Sequence, residues 1–162
     1  MCERLGKVDL GGLYADEDML ELCLNSYRVY LEEAFRAVRR ESLTKPKIQA
    51  LSIIDLEGLS WNSLWHVGMI SKITAVGPPN FPEITKKVYI IRAPVVFQSI
   101  WSAISGLLPE KTRNKVNVLG EDYLEVLAKN VNGGLESLPK FLGGGHEATS
   151  VCPAMLVEEL QN

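Results

Sequence analysis

The chain has 162 residues, of which 46% are hydrophobic and 23% charged, and this mixture indicates one globular domain with a single sizeable core. The formal net charge of −3 provides no basic surplus to neutralise phosphates, which argues against a nucleic-acid-binding protein. Cys2, Cys23 and Cys152 lie far apart without metal-ligand spacing, which argues against a disulfide framework or a zinc site and indicates a reduced, cytoplasmic protein. Charged residues among the first ten exclude a signal peptide at this end.

The first part of the chain predicts a short strand and a long helix. Residues 3–10 alternate weakly and stop at Gly11-Gly12, which predicts an edge strand followed by a turn. Across residues 16–40, apolar side chains recur every three or four residues, which predicts a helix with one buried face. The residues of this face are Leu20, Leu24, Tyr27, Leu31, Phe35 and Val38. Acidic residues at its start and arginines at its end complement the helix dipole.

A buried strand and an apolar helix are predicted next. Residues 48–54 form an apolar run bounded by Asp55 and Gly58, which is typical of a buried strand. Ser60 is a suitable N-cap for a helix over residues 61–76, which is apolar on most sides and therefore needs burial on more than one of them. Gly77-Pro78-Pro79 is expected to end that helix.

Residues 95–108 form the most distinctive segment, which we call the lid. It follows a predicted strand at 88–91, and the chain carries no charged side chain between Arg92 and Glu110. On a helical projection the apolar residues share one broad arc, and neutral polar residues lie opposite. The run is too short to span a bilayer, so we interpret it as a surface helix whose apolar face covers an apolar ligand or contacts a membrane.

A strand at residues 115–119 and a helix at 122–130 complete the pattern. Strands that alternate with helices predict an α/β fold with a largely parallel sheet flanked by helices. A folded domain over residues 1–145 and a C-terminal tail over 146–162 are expected.

Four segments together resemble the CRAL-TRIO lipid-binding domain family, in the branch of the yeast phosphatidylinositol/phosphatidylcholine transfer protein. They are IIDLEGLS at 53–60, FPEITKKVYIIRAPVVF at 81–97, LLPEKTRNKVNVLG at 107–120 and LPKFLGGG at 138–145. The resemblance implies a sheet that forms the floor of an apolar pocket, and a mobile gate helix, within the lid, that closes over one phospholipid at a membrane. It implies no cofactor other than that ligand.

The resemblance also implies a headgroup site made by Glu83, Thr112 and Lys115. These residue types suit an inositol phosphate, because a lysine attracts phosphate, a threonine hydroxyl donates to its oxygens and a carboxylate accepts from inositol hydroxyls. Thr112 and Lys115 are three apart and can share a helical face. The alternative is that all three are ordinary surface and turn residues.

The acyl pocket and gate are expected to include Ser52 on the floor together with lid residues Val96, Phe97, Ile100, Trp101, Ile104 and Leu108. Ser52 matches a hydroxyl that contacts choline lipids in the family, but Ala50 stands where another is expected, which weakens the case for phosphatidylcholine. Trp61 and Trp65 are interpreted as core residues and Trp101 as a gate residue.

Asp55 and Glu57 invite a metal or acid-base interpretation, but no histidine or third carboxylate accompanies them, so Asp55 is expected to cap the following turn.

His66 is interpreted as a hydrogen-bonded core residue and His146 as exposed. The chain shows no nucleophile-and-base spacing and no GxGxxG or GxSxG motif, so an enzyme is not expected.

Family members usually carry an N-terminal helical subdomain, which this chain is expected to lack. Without it, one wall of the pocket is missing and apolar surface is exposed, which predicts instability, self-association or a partner chain that covers this surface. The leading hypothesis is therefore binding and transfer or presentation of a phospholipid, most of all phosphatidylinositol. It implies a cytoplasmic protein that associates peripherally and transiently with membranes, with Golgi and endosomal membranes as candidates. The alternative is an interaction scaffold that has lost its cargo.

Overall fold

The computed structural model describes residues 1–45, 48–59, 68–81, 83–95, 97–106 and 108–147. The strands in these ranges are β1 (Cys2–Glu3), β2 (Ala50–Asp55), β3 (Thr85–Ile91) and β4 (Val116–Val118). The helices are α1 (Leu10–Ala15), α2 (Glu17–Ser42), α3 (Gly68–Asn80), α4 (Phe97–Ser105), α5 (Glu110–Arg113) and α6 (Tyr123–Asn130). Three short 3₁₀ turns cover Leu5–Lys7, Gly134–Ser137 and Lys140–Leu142.

The described strands form one sheet in the order β1-β2-β3-β4, and every neighbouring pair is parallel. Ile53 lies opposite Tyr89, and Val88 lies opposite Val116. Long crossovers join the strands, as parallel pairing requires. The predicted α/β architecture is confirmed, and all amino ends of the strands meet at one edge of the sheet, which we call the amino edge.

The two faces of the sheet are packed differently. On the first face, alternate residues of β2 and β3 join α6 and the C-terminal turns in one buried cluster: Ile53, Tyr89, Ile91, Leu127, Leu138 and Leu142. On the second face, Leu56 and Ile90 pack with Phe97 of α4. Because strand side chains alternate between faces, α4 and α6 lie on opposite sides of the sheet.

Helix α2 confirms the predicted long helix and extends it to Ser42. The side chain of Asp16 accepts a hydrogen bond from the amide of Met19 at 3.0 Å, which is an N-cap. Leu20 and Leu31 are buried on the predicted face. Caps and periodicity act within a few residues, which explains why this element was predictable from sequence.

The predicted N-terminal strand is wrong for most of its length. Only Cys2 and Glu3 pair with β2, and Gly11-Gly12 lie inside α1 rather than in a turn. Asp9 caps α1 by accepting from the Gly12 amide at 3.0 Å. A Cβ on Gly12 would stand 2.5 Å from the Asp9 carboxylate, so the glycine permits this cap instead of breaking the helix.

Two other predicted boundaries need correction. Helix α3 continues through the two prolines to Asn80, where the Asn80 amide side chain donates to the Val76 carbonyl at 2.8 Å and the Phe81 amide donates to Gly77 at 2.9 Å. The backbone φ of proline is compatible with a helix, so prolines in the last turn need not end it. Strand β3 starts at Thr85, three residues earlier than predicted, because pairing with β2 extends to Ala50.

Several predictions concern parts of the chain that the structure does not describe. Outside the described ranges lie the Ser60 N-cap, the helix start with Trp61, Trp65 and His66, residues Val96 and Leu107, and the tail from residue 148; within α4, the side chain of Ile104 is not described. His146 is described and exposed, as predicted. Within the described ranges, no helix combines the length and the apolar character that crossing a bilayer requires.

Candidate functional site

Glu83, Thr112 and Lys115 all lie at the amino edge of the sheet. Glu83 precedes β3 by two residues, and Lys115 directly precedes β4. The Val88 amide of β3 donates to the Lys115 carbonyl at 2.9 Å, which ties the two strand starts together. Parallel pairing therefore brings residues of two distant segments into one place.

Lys115 and Glu83 form an ion pair, with 3.7 Å between Nζ and Oε2. The Glu83 side chain is 74% exposed and that of Lys115 is 30% exposed. An exposed pair at this distance contributes little to stability, about 0–1 kcal/mol. Both groups therefore remain available to a polar ligand.

The backbone of Glu83 has a φ of 59°, an uncommon conformation for a residue other than glycine. Two contacts support it: the Gln49 side-chain amide donates to the Glu83 carbonyl at 2.9 Å, and the Ala50 amide donates to the Ile84 carbonyl at 2.7 Å. The start of β2 therefore fixes the turn that presents Glu83. Local strain held by surrounding structure is typical of functional positions.

Thr112 lies in α5, and its carbonyl accepts from the Lys115 amide at 3.0 Å. The predicted shared helical face is not formed, because α5 ends at Arg113 and Lys115 belongs to the turn that follows. Lys111 and Arg113 are exposed on the same short helix. Together these residues place several cations and one hydroxyl near the amino edge, a combination that suits phosphate.

The lid contains α4, and Phe97, the first residue of that helix, anchors α4 to the sheet. Phe97 is only 6% exposed, packs with Leu56 and Ile90, and stacks on Trp101 with 6.3 Å between ring centroids. Leu108 is also buried, Ile100 is half-buried and Ser102 is exposed. The amphipathic character of α4 agrees with the prediction for these described side chains.

The face of the sheet beneath α4 is the floor, and its apolar residues are buried to different extents. Leu56 and Ile90 are buried, whereas Ile54, Val88, Val116 and Val118 are half-buried. Ser52 belongs to the floor by strand alternation and is 5% exposed. Sequence reasoning named only Ser52 here, although period-two alternation in the strands could have identified the others.

The carboxyl end of β2 carries a second polar group of residues. Asp55 is 1% exposed, and its Oδ1 accepts from the Glu57 amide at 3.0 Å, which confirms the predicted cap. Arg92 Nε also donates to Oδ1 at 2.9 Å, and a second guanidinium nitrogen contacts Oδ2. Sequence reasoning missed this pair, because only the parallel register places residue 92 beside residue 55.

Cations surround this carboxylate. Arg92 Nη1 lies 2.9 Å from Glu57, and Arg4 Nε lies 3.7 Å from Asp55. Burial lowers the pKa of Arg92, but its hydrogen bond and charge interaction with Asp55 raise it overall. Among the described residues, no group of three or more His, Cys, Asp and Glu side chains has an arrangement suited to a metal ion.

Comparison with known proteins identifies the family to which the sequence is similar. A family model described as the CRAL/TRIO domain matches residues 5–144, which is most of the chain. The chain is 34% identical over 149 residues to the CRAL-TRIO domain-containing protein T23G5.2 of Caenorhabditis elegans, covering 87% of this chain and 20% of that protein.

Two further relatives carry more specific names. The phosphatidylinositol/phosphatidylcholine transfer protein SFH9 of Arabidopsis thaliana is 31% identical over 151 residues, which is 88% of this chain and 25% of that protein. The Sec14 cytosolic factor of Schizosaccharomyces pombe is 29% identical over 154 residues, which is 93% of this chain and 53% of that protein. The chain thus spans between a fifth and about half of these relatives. With a family match over residues 5–144 and the parallel α/β sheet, the chain belongs to the CRAL/TRIO domain family, whose members bind and transfer lipids and are not enzymes.

Proposed function

We propose that this domain binds one phospholipid, with phosphatidylinositol as the preferred ligand, and transfers or presents it at membranes. The acyl chains would lie between the floor and α4, and the headgroup would contact Glu83, Thr112 and Lys115. The observation that carries the proposal is that the second face of the sheet, on which the amphipathic helix α4 packs, leaves the apolar residues Ile54 and Val88 half-buried. An apolar surface of this kind favours an apolar ligand.

The dimensions of the floor suit this ligand. Strand β3 has seven residues, which extend over about 20 Å at the rise of a strand, comparable to an extended acyl chain. Its amino end lies beside Glu83 and Lys115, and its carboxyl end leads into the lid. A lipid laid along β3 would therefore place its headgroup and its tails at opposite ends.

Headgroup contacts would decide which lipid is held. Moving a methylene out of water gains about 0.8 kcal/mol, but an acyl chain that passes from a membrane to an apolar pocket exchanges one apolar environment for another. The tails therefore add little selectivity. Lys115 with Thr112 would bind the phosphate and Glu83 the inositol hydroxyls, whereas Ala50 on β2 provides no hydroxyl for a choline lipid.

Membrane contact is proposed at the start of the lid. Val95 is 93% exposed and lies two residues before the first residue of α4. An exposed aliphatic residue beside an amphipathic helix would enter the interfacial region of a bilayer while the lid opens. We propose a cytoplasmic protein with transient, peripheral membrane association on this basis.

The test uses native mass spectrometry and vesicle transfer. The purified protein should carry one phospholipid and should extract labelled phosphatidylinositol from vesicles in preference to phosphatidylcholine. The double change Glu83→Gln and Lys115→Gln should remove that preference, and Lys86→Gln, an exposed lysine of β3, is the matched control. A ligand-free protein that extracts neither lipid would contradict the proposal.

An interaction scaffold without cargo is the second candidate, because α2 exposes three apolar residues. Met19, Leu22 and Val29 lie within one arc of the helix and are exposed. Changing all three to glutamine should abolish a scaffold function and leave lipid extraction intact. Cellular function that survives the Glu83 and Lys115 double change but not the α2 change would favour the scaffold.

A further inference from the structure

The segment between β3 and α4 contains a residue in an unusual conformation. Strand β3 ends at Ile91, and Arg92 follows with a φ of 51°, in the left-handed region that residues other than glycine rarely adopt. Ala93 and Pro94 come next, and the Phe97 amide donates to the Pro94 carbonyl at 2.7 Å as α4 begins. Arg92 therefore lies where the chain turns from β3 towards α4.

The side chain of Arg92 holds this conformation. Its guanidinium makes two hydrogen bonds to the Asp55 carboxylate and an ion pair of 2.9 Å with Glu57. Bidentate arginine–carboxylate geometry is directional as well as strong, so it constrains the arginine backbone more than a point charge would. Asp55 is itself fixed, because it is 1% exposed and accepts from the Glu57 amide.

Other cations near Asp55 cannot replace Arg92. Arg4 Nε stands 3.7 Å from Oδ2, beyond hydrogen-bond distance, and its guanidinium lies over the Phe141 ring at 4.6 Å. Lys7 forms an ion pair with Glu57 at 3.5 Å, and half of its side chain is exposed.

The contact between Arg92 and Asp55, which we call the clamp, and helix α4 of the lid involve opposite faces of the sheet. Ile91, which pairs with Asp55, belongs to the cluster around Leu127, and Phe141 packs against the same cluster. Phe97 of α4 packs on the other face, with Leu56 and Ile90. Since Asp55 shares the face opposite to the described Phe97 side chain, we expect loss of the clamp to act on α4 through the backbone of residues 92–94.

We propose that the bidentate contact between Arg92 and Asp55 is the positioning element of the lid hinge, holding residue 92 in the left-handed conformation that keeps α4 over the floor. This inference rests on the proposed lipid site, since it assigns the control of lid position. Arg92 is a positioning residue and does not contact the ligand. Without the clamp, residue 92 relaxes towards negative φ and α4 departs from the floor more often.

Hydrogen exchange of the backbone amides tests the hinge without any ligand. Arg92→Ala should speed exchange of residues 97–105 about tenfold relative to the amides of α6 and β2, because lid opening is a local event. Lys7→Ala is the matched control, since it removes a cation near Glu57 without touching Arg92, and it should leave α4 exchange unchanged. Arg92→Lys should restore part of the protection, because an ammonium reaches only one carboxylate oxygen.

Equal exchange of residues 97–105 in Arg92→Ala and Lys7→Ala would overturn the inference. So would a uniform acceleration across α4, α6 and β2, because it would show a general loss of stability. If Arg92→Ala does not fold, the test uses Arg92→Lys alone. Faster amide exchange in α4 than in α6, relative to wild type, would then support the inference, and equal changes in both helices would overturn it.

Lipid exchange supplies a separate measurement. Release of labelled phosphatidylinositol to acceptor vesicles should be faster in Arg92→Lys than in the wild type. A wild-type protein that never takes up lipid would contradict the proposed function but leave the hydrogen-exchange result standing. Unchanged lipid release together with unchanged α4 exchange would reject the hinge alone.

Discussion

Lys115 and Glu83 meet at the amino edge of the sheet, with 3.7 Å between Nζ and Oε2, although they belong to different crossover segments. The contact exists because β3 and β4 are parallel and start side by side, with Val88 opposite Val116. Both side chains are partly exposed, so the ion pair between them could be replaced by contacts to a ligand. They are therefore the first targets for substitution.

Lys115→Ala should weaken phosphatidylinositol binding about tenfold, which is the loss of about 1.4 kcal/mol from one charge-assisted hydrogen bond. The free energy of unfolding should change by less than about 1 kcal/mol, because the pair with Glu83 is exposed. Competition between labelled lipids measures the first effect and urea unfolding the second. Lys86→Ala is the control, and an equal loss of binding there would show that only general charge matters.

Val95→Glu should slow lipid uptake from vesicles while the domain keeps its fold. The residue is 93% exposed, so the substitution costs little stability, but a charge at the start of α4 opposes insertion into the bilayer interface. Vesicle sedimentation and transfer rates measure the effect. Val29→Glu places the same charge on an exposed position of α2 and should not slow uptake; similar rates for both variants would argue against the lid as the membrane contact.

Leu127→Ala should destabilise the domain by about 2–5 kcal/mol, because a fully buried leucine leaves a cavity. Leu127 lies in the cluster on the first face of the sheet, away from the floor. Ligand preference should therefore persist in the folded fraction. Thermal unfolding with and without lipid checks both statements, and Leu135→Ala, at an exposed position in the 3₁₀ turn Gly134–Ser137, is the control with a small expected effect.

Glu3 should make stability depend on pH. Burial raises the pKa of its carboxyl from 4.5 to about 7, so between these values the folded chain binds more protons than the unfolded chain. The contribution of Glu3 is thus fully present below pH 4.5, and the free energy of unfolding falls as pH rises towards 7. Across this window, wild type should lose on the order of 3 kcal/mol relative to Glu3→Gln.

Urea unfolding of wild type and Glu3→Gln at several pH values between 4.5 and 8 measures this difference. Glu121→Gln, which changes an exposed carboxylate after β4, is the control and should run parallel to wild type. Parallel curves for Glu3→Gln and wild type would show that the carboxyl ionises freely in the folded state.

Local features of the chain were largely predictable. Helix α2, capped by Asp16, and strand β3 follow from periodicity, capping and β-branched residues, each of which acts over a few neighbouring positions. The resemblance of ordered motifs indicated the family, and the match over residues 5–144 confirmed it. The identities of Glu83, Thr112 and Lys115 were available from the same motifs, and their role in binding a headgroup stays a prediction.

Contacts across the sheet were not predictable, because they depend on register and on which elements share a face. A one-residue shift in pairing would move Asp55 away from Arg92 and turn Val88 to the opposite face. The failed N-terminal strand illustrates the same limit, since pairing with β2 stops at Glu3, the chain then forms a 3₁₀ turn at Leu5–Lys7, and Asp9 caps α1. Composition and local pattern therefore specify the elements of this domain, whereas parallel pairing alone decides that Lys115 meets Glu83 and that the lid is anchored over a half-covered floor.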